Sequence, residues 1–275
     1  MTHKITFIGA GNMASAIFGG MIEGGYPADA ITATAPRDDT LAPLRERYGI
    51  NVSSDNNAAA AEADVVVLAV KPNRMTDVCI ELRDSIQARQ PLIVSVAAGL
   101  TADTLDEWLG GGLPIIRCMP NTPSLVSAGA SGLYANARVS EDQRQLTTSL
   151  LEAVGLVEWV DDEALLEAVT AISGSGPAYF FLVFEALIEA GERLGLSKES
   201  ARRLALQTGL GAAKMAQQSE YDPAQLKRNV MSPGGTTERA IETLEDGGLR
   251  QLFDDAAQAC AARARALSEE IGKKD

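Results

Sequence analysis

The sequence predicts an α/β fold: a doubly wound, mainly parallel sheet in the first part of the chain, followed by an all-helical second part. Three observations lead there. Short β-branched runs alternate with amphipathic stretches through the first half, one of them (65–70) is apolar throughout, and strand signals stop near Asp161. Strands alternating with helices form parallel sheets with helical crossovers, and an uninterrupted apolar strand is one covered on both faces. The 275 residues suffice for two domains, expected at 1–161 and 162–275.

Strands are predicted at 4–8, 31–35, 65–70, 92–96 and 115–119, with helices at 13–23, 41–48 and 75–87 among them. The acidic turn Asp161-Asp162-Glu163 then opens the first helix of the second part, because carboxylates favour a helix N-terminus. Further helices are predicted there at 163–194, 198–218, 223–229, 237–245 and 249–271. In the last of them Leu249, Leu252, Phe253, Ala256, Cys260, Ala264 and Leu267 recur every three or four residues and make one apolar face. That face and the apolar run 178–187 predict an obligate dimer.

Composition narrows the function. Hydrophobic residues at 46% and charged residues at 22% describe a soluble globular protein. The net charge of −13 argues against nucleic acid or an anionic membrane as partner. An anionic cofactor stays open, since backbone N–H groups can hold phosphates on an acidic protein. Cys79, Cys118 and Cys260 have no metal-type spacing and read as small buried residues, so no metal is expected. The chain opens directly into a strand and a glycine turn, which argues against a signal peptide. The apolar stretch 178–188 contains Glu185 and is about half a membrane span, so a cytoplasmic location is expected.

Ile8 leads into Gly9-Ala10-Gly11-Asn12-Met13-Ala14, a glycine turn between a strand and a helix. Gly9 permits the tight turn, Gly11 lets a pyrophosphate approach the backbone, and Ala14 lets the helix pack close to the sheet. The second strand ends Thr34-Ala35-Pro36-Arg37, without the acid that would accept a ribose 2′-hydroxyl. Arg37 is placed instead to pair with a 2′-phosphate, which predicts NADPH as the preferred cofactor with NADH possible. Asp38 and Asp39 follow directly, and a slip of two residues would bring a carboxylate to the ribose. Ala69-Val70-Lys71-Pro72 ends the third long strand, where ligands bind in open α/β sheets; Lys71 there either faces the cofactor or is a solvated cation at a helix start. Ala97-Ala98-Gly99 is small enough for a nicotinamide to lie against backbone, and Met119-Pro120-Asn121-Thr122-Pro123 fixes a loop beside the same crevice.

The reaction is constrained by what is missing. Ketone reduction by hydride calls for a general acid, often His, Lys or Tyr, and the only histidine is His3, far from any strand end. An imine needs none: its protonated form is positive at nitrogen, and hydride arrival neutralises that charge. Orientation, a carboxylate anchor and one hydrogen-bonding group near nitrogen then suffice. The segment Asn229 to Glu238 suits that task, with Ser232, Gly234, Gly235, Thr236 and Thr237 offering N–H groups and hydroxyls at a helix start. An ordinary N-cap with Glu238 or Glu242 in the first turns explains the same spacing.

Five segments in chain order carry a resemblance: Gly9 to Ala14, Ala69 to Pro72, Met119 to Pro123, Ser173-Gly174-Ser175-Gly176-Pro177-Ala178-Tyr179, and Val230 to Thr237. Together they resemble the pyrroline-5-carboxylate reductases, across nearly the whole chain. The resemblance implies a Rossmann domain joined to a helical domain that interlocks with its twin, as a homodimer or an assembly of dimers. It implies hydride transfer from NADPH to the C=N of 1-pyrroline-5-carboxylate, giving L-proline, at a site shared between the crevice of one subunit and helices of its partner. By matching position, Ser232, Gly234, Gly235, Thr236 and Thr237 would hold the substrate carboxylate, Thr237 would hydrogen-bond the ring nitrogen, and Asn229 would lie at the pocket edge. Asn56 and Lys71 match cofactor contacts, and Ala35, Pro36 and Arg37 match the adenosine-phosphate loop. Ala35 departs from the hydroxyl or amide often found there, which leaves Arg37 with more of the recognition. The Ser173–Tyr179 segment either touches substrate or allows close helix packing beside it.

Two alternatives share part of this pattern. A β-hydroxyacid dehydrogenase would resemble its relatives in a helix Lys followed one turn later by Asn, whereas Lys214 is followed by Gln218. A non-catalytic NADPH sensor would keep the glycine turn without needing the hydroxyls near Thr237.

Overall fold

The computed structural model of the chain describes residues 2–272. Its sheet has eight strands: β1 (Ile5–Ile8), β2 (Ile31–Thr34), β3 (Asn51–Ser53), β4 (Val65–Leu68), β5 (Leu92–Ser95), β6 (Ile115–Met119), β7 (Gly129–Ala135) and β8 (Gly155–Trp159). Their order is β3-β2-β1-β4-β5-β6-β7-β8. Strands β1 to β6 are parallel, with Ile5 opposite both Ile31 and Val65. The β7 strand runs antiparallel to β6, and β8 is parallel to β7. Strand order turns outward in both directions from β1 and β4, and a crevice opens at such a switch point.

Crossovers carry α1 (Asn12–Glu23), α2 (Asp38–Tyr48), α3 (Asn56–Ala61), α4 (Pro72–Arg89), α5 (Ala102–Trp108) and α6 (Glu141–Glu152). The apolar run in β4 is explained by its two faces. Val65 and Val67 join a core with Phe7, Phe18 and Ile116, while Val66 and Leu68 join a separate core with Met75, Leu82 and Ile93. In the first core the Phe7 and Phe18 rings meet edge to face at 5.4 Å, a favoured aromatic geometry. Five predicted strands are present, each within two residues of its expected ends. The β3, β7 and β8 strands and the α3, α5 and α6 helices were not among the expected elements.

Beyond β8 come α7 (Leu165–Val169), a π-helical turn (Thr170–Gly174), α8 (Gly176–Arg193), α9 (Lys198–Gln218), α10 (Pro223–Asn229), α11 (Thr236–Asp246) and α12 (Leu249–Gly272). The chain divides into two units. One runs to Ser175 and includes α12 from Ala259; the other is Gly176–Gln258. Within the second unit α8 packs on α9, where the Phe184 ring sits against Gly209 and Gly191 sits against Ala201. Phe180, Phe181, Leu182 and Leu187 of α8 and Leu204 and Leu210 of α9 remain exposed. The helical run Leu165–Arg193 is apolar and long enough to cross a membrane by length and composition, and only 11% of its most apolar window is buried. It is longer than the 178–188 stretch suggests.

Candidate active site

The glycine turn is forced by its surroundings. Gly9 has φ +104°, and a Cβ there would lie 2.8 Å from the Ala69 carbonyl oxygen, so the ends of β1 and β4 approach too closely for a side chain. The Gly9 N–H donates to Thr34 Oγ1 at 3.4 Å, and Thr34 Oγ1 donates to Asn56 Oδ1 at 2.7 Å. The ends of β1 and β2 and the start of α3 are tied together by this one buried hydroxyl.

Among the crossover helices α1 to α6, the caps separate the same crevice from the rest. Side chains of Asp55, Thr101 and Ser140 cap α3, α5 and α6. The N-termini of α1, α2 and α4 have no side-chain cap, and their capping positions are Gly11, Arg37 and Lys71. These are three positions the sequence assigns to the cofactor. At α1 the first turn holds no acidic residue, and the space around Gly11 is open. Uncapped N–H groups at the positive end of a helix suit a pyrophosphate, so these residues fit a dinucleotide. Ala35 is buried, Pro36 and Arg37 are exposed, and Arg37 Nε pairs with Asp39 Oδ1 at 3.3 Å. Lys71 is exposed ahead of Pro72, Ala97 is buried, and Gly99 is half-buried.

A cavity of about 620 Å³ opens beside Ala97, Ala98 and Gly99, with Arg117, Glu163 and Cys260 also in its wall. Arg117 NH1 pairs with Glu163 Oε1 at 3.0 Å, and the same oxygen accepts the Ala102 N–H at 2.6 Å. Arg117 Nε is buried without a partner. Sequence reading gave Glu163 only as part of a helix-opening acidic turn and missed Arg117; the available signal was a lone cation inside the apolar strand Ile115-Ile116-Arg117-Cys118-Met119. Cys260 corrects an expectation. It is half-buried, 3.2 Å from Ser175 Oγ, because its helix face borders the cavity. Cys79 and Cys118 are buried as expected, and burial pushes both thiols up to about 12. Asn121 locks two motifs together: its Nδ2 donates to the Ser173 carbonyl at 3.0 Å, and its Oδ1 accepts the Ala130 N–H at 2.9 Å.

In the second unit, the loop between α10 and α11 carries the remaining predicted residues. Asn229 Oδ1 accepts from Gln225 at 2.7 Å, the Gly235 N–H closes a turn onto the Ser232 carbonyl at 2.8 Å, and Gly234 takes φ +71°. Gly235 caps α11 without a side chain. Ser232, Gly234 and Thr236 are exposed, and Thr237 is half-buried. The Gly234 N–H donates to Glu238 Oε2 at 2.6 Å. Glu245 braces the loop from outside: it accepts from Lys227 at 3.0 Å and from Arg250 at 2.7 and 2.8 Å. Those bonds, Arg250's first, hold its carboxyl down at about 2. Among the described residues no group of three His, Cys, Asp or Glu side chains could hold a metal ion.

Comparison with known proteins decides the family. Residues 163–267 match the family described as pyrroline-5-carboxylate reductase dimerisation, and residues 4–99 match NADP oxidoreductase, coenzyme F420-dependent. The pyrroline-5-carboxylate reductase of Pseudomonas aeruginosa is 51% identical over 272 residues, covering 99% of each chain. The chain belongs to the pyrroline-5-carboxylate reductase family. A solved pyrroline-5-carboxylate reductase from Coxiella burnetii matches with a TM-score of 0.94 at 50% identity, covering 98% of this chain and 99% of that one. The pyrroline carboxylate reductase of Plasmodium falciparum, solved with NADP bound, matches with a TM-score of 0.85 at 30% identity, covering 97% and 98%. As a member of the family the chain is a nicotinamide-dependent oxidoreductase, and its two parts are a Rossmann-type sheet and a helical dimerisation domain. The segment matching the dinucleotide family contains the glycine turn, Arg37, Asn56, Lys71 and Gly99; the segment matching the dimerisation family contains Glu163 and the loop up to Thr237.

Proposed function

We infer that the chain reduces the C=N bond of 1-pyrroline-5-carboxylate to give L-proline, with NADPH preferred and NADH usable. The 51% identity to a pyrroline-5-carboxylate reductase over the full length carries this reading. Bound NADPH supplies the hydride. Ile8, Gly9, Ala10, Gly11, Asn12 and Met13 hold its pyrophosphate on the uncapped start of α1. Ala35, Pro36 and Arg37 receive the adenosine phosphate, Asn56 and the turn Ala69-Val70-Lys71-Pro72 line the crevice, and Ala97 and Gly99 leave room for the nicotinamide.

The loop holds the substrate. Ser232, Gly234, Gly235 and Thr236 receive its carboxylate, Asn229 borders the pocket, and the Thr237 hydroxyl hydrogen-bonds the ring nitrogen as the catalytic group. Reduction leaves that nitrogen neutral and forms no oxyanion, so Thr237 needs only to orient it. Residues 1–161 form the NADP-binding domain and 162–275 the dimerisation and substrate-binding domain.

The working state is a homodimer or an assembly of dimers. The exposure of Phe180, Phe181, Leu182 and Leu187 around α8 supports this, since a helix apolar on most sides requires a partner. The run Leu165–Arg193 lies wholly in the segment that matches the dimerisation family, which favours a second copy over a membrane as its cover. Three free cysteines fit a cytoplasmic enzyme, and a net charge of −13 fits a small-molecule substrate better than nucleic acid. The test is NADPH oxidation with 1-pyrroline-5-carboxylate, comparing the wild type with Thr237→Ala. Turnover that falls in the variant while NADPH still binds supports the reaction and the role of the loop. Turnover that ignores the substitution moves the catalytic group elsewhere, and its absence from the wild type removes the reading.

A further inference from the structure

The loop assigned to the substrate carboxylate already holds a carboxylate of its own. Glu238, the third residue of α11, turns back and accepts the Gly234 N–H at 2.6 Å. It is the only acidic residue in the first turn of that helix, whose end lacks a side-chain cap. A carboxylate here accepts a loop N–H and neutralises the positive end of the helix, and a bound substrate carboxylate would do the same two things. One N–H serves one of them well, and two like charges side by side repel.

We propose that Glu238 is an internal competitor for the substrate carboxylate: it occupies the Gly234 N–H in the empty loop, swings away as substrate binds, and thereby sets KM. The proposal rests on the reading of this loop as the carboxylate cradle. Two features make the exchange workable. Among the described residues no cation pairs with Glu238, so no counter-ion holds it in place, in contrast to Glu245 with its Lys227 and Arg250 partners. The frame survives its departure, because the turn from Ser232 to Gly235 is closed by backbone and α10 is tied to α11 through Lys227 and Glu245.

The experiment is steady-state kinetics of the full chain carrying Glu238→Gln, with 1-pyrroline-5-carboxylate and with 1-pyrroline, the same ring lacking the carboxylate. The amide keeps the shape and removes the charge. KM for 1-pyrroline-5-carboxylate is expected to fall roughly two- to fivefold, the reach of one charge at a helix end. The kcat, the KM for NADPH and the kinetics with 1-pyrroline are expected to stay as in wild type. Glu238→Asp, too short to reach Gly234 yet still charged, should lower KM by less; it also serves if the Gln variant folds poorly. A KM that stays put or rises, or an equal shift with both imines, would make Glu238 a helix cap and overturn the proposal. A wild type that reduces both imines with equal kcat/KM would remove the cradle reading itself.

Discussion

Removing Glu163 strands two groups at once. Arg117 is 12% exposed and Glu163 23%, and the Glu163 Oε1 atom serves both Arg117 NH1 at 3.0 Å and the Ala102 N–H at 2.6 Å. With Arg117 Nε already lacking a partner, Glu163→Ala leaves a buried guanidinium without its counter-charge and a backbone N–H without its acceptor. Breaking a buried pair costs about 3–5 kcal/mol, and an unsatisfied N–H about 1–3 kcal/mol. The two losses share one oxygen, and water entering from the cavity relieves part of each, so about 3 kcal/mol is expected. For a chain of this size that lowers Tm by about 6–12 °C. Thermal and urea unfolding at one fixed protein concentration would measure it, since a dimer's stability depends on concentration. Arg117→Met and the double variant complete the cycle, and the double variant should be more stable than the sum of the single losses predicts. A loss under about 1 kcal/mol for Glu163→Ala, or additive losses in the cycle, would refute the view of this pair as a buried unit.

Other consequences can be measured separately. Arg37→Ala should raise the KM for NADPH about tenfold or more, the scale of a charge-assisted phosphate contact, and leave that for NADH nearly unchanged; an equal rise for both would move 2′-phosphate recognition elsewhere. The Glu245 carboxyl is held down from 4.5 to about 2, so its bonds to Arg250 and Lys227 stabilise the native state fully above pH 4.5 and lose that effect as pH falls toward 2. The Tm difference between wild type and Glu245→Gln should therefore shrink across that window, and a constant difference would contradict the assignment. Burial holds the Cys79 and Cys118 thiols at about 12, so neither should react with iodoacetamide before unfolding. Rapid native labelling of either one would show that its core opens.

Legibility in the sequence follows from how local each signal is. β1, β4 and β5 announce themselves because β-branched runs buried on both faces have no other use, and α10 is bounded by Asp222 as cap and Pro223 at its first turn. β7 escapes because Gly129-Ala130-Ser131-Gly132 carries no apolar pattern. Its small residues are explained by distant neighbours, with Gly132 against the Val169 side chain and Gly129 against Ser124. β8 is an edge strand whose residues alternate between half-buried and exposed, so it lacks the continuous apolar run that marks β1, β4 and β5. The glycine turn and the loop near Thr237 are legible as local shapes that only certain residues can make. The Arg117–Glu163 pair spans 46 residues, and the two-way use of Gly234 and Glu238 depends on a rotamer, so spacing alone could raise Glu238 only as a possible cap.

Thr34 has a single hydroxyl proton, and it goes to Asn56 Oδ1; toward the Gly9 N–H the same oxygen offers a lone pair. The Asn56 amide turns its oxygen toward Thr34 in this arrangement. The link is made by a β2 side chain that is itself 1% exposed. Thr34→Val would preserve the packing yet remove the acceptor of the Gly9 N–H and the donor to Asn56. Thr34→Ser would retain both bonds with one methyl group fewer. Position 34 thus holds the ends of β1 and β2 and the start of α3 together without being part of the crevice surface.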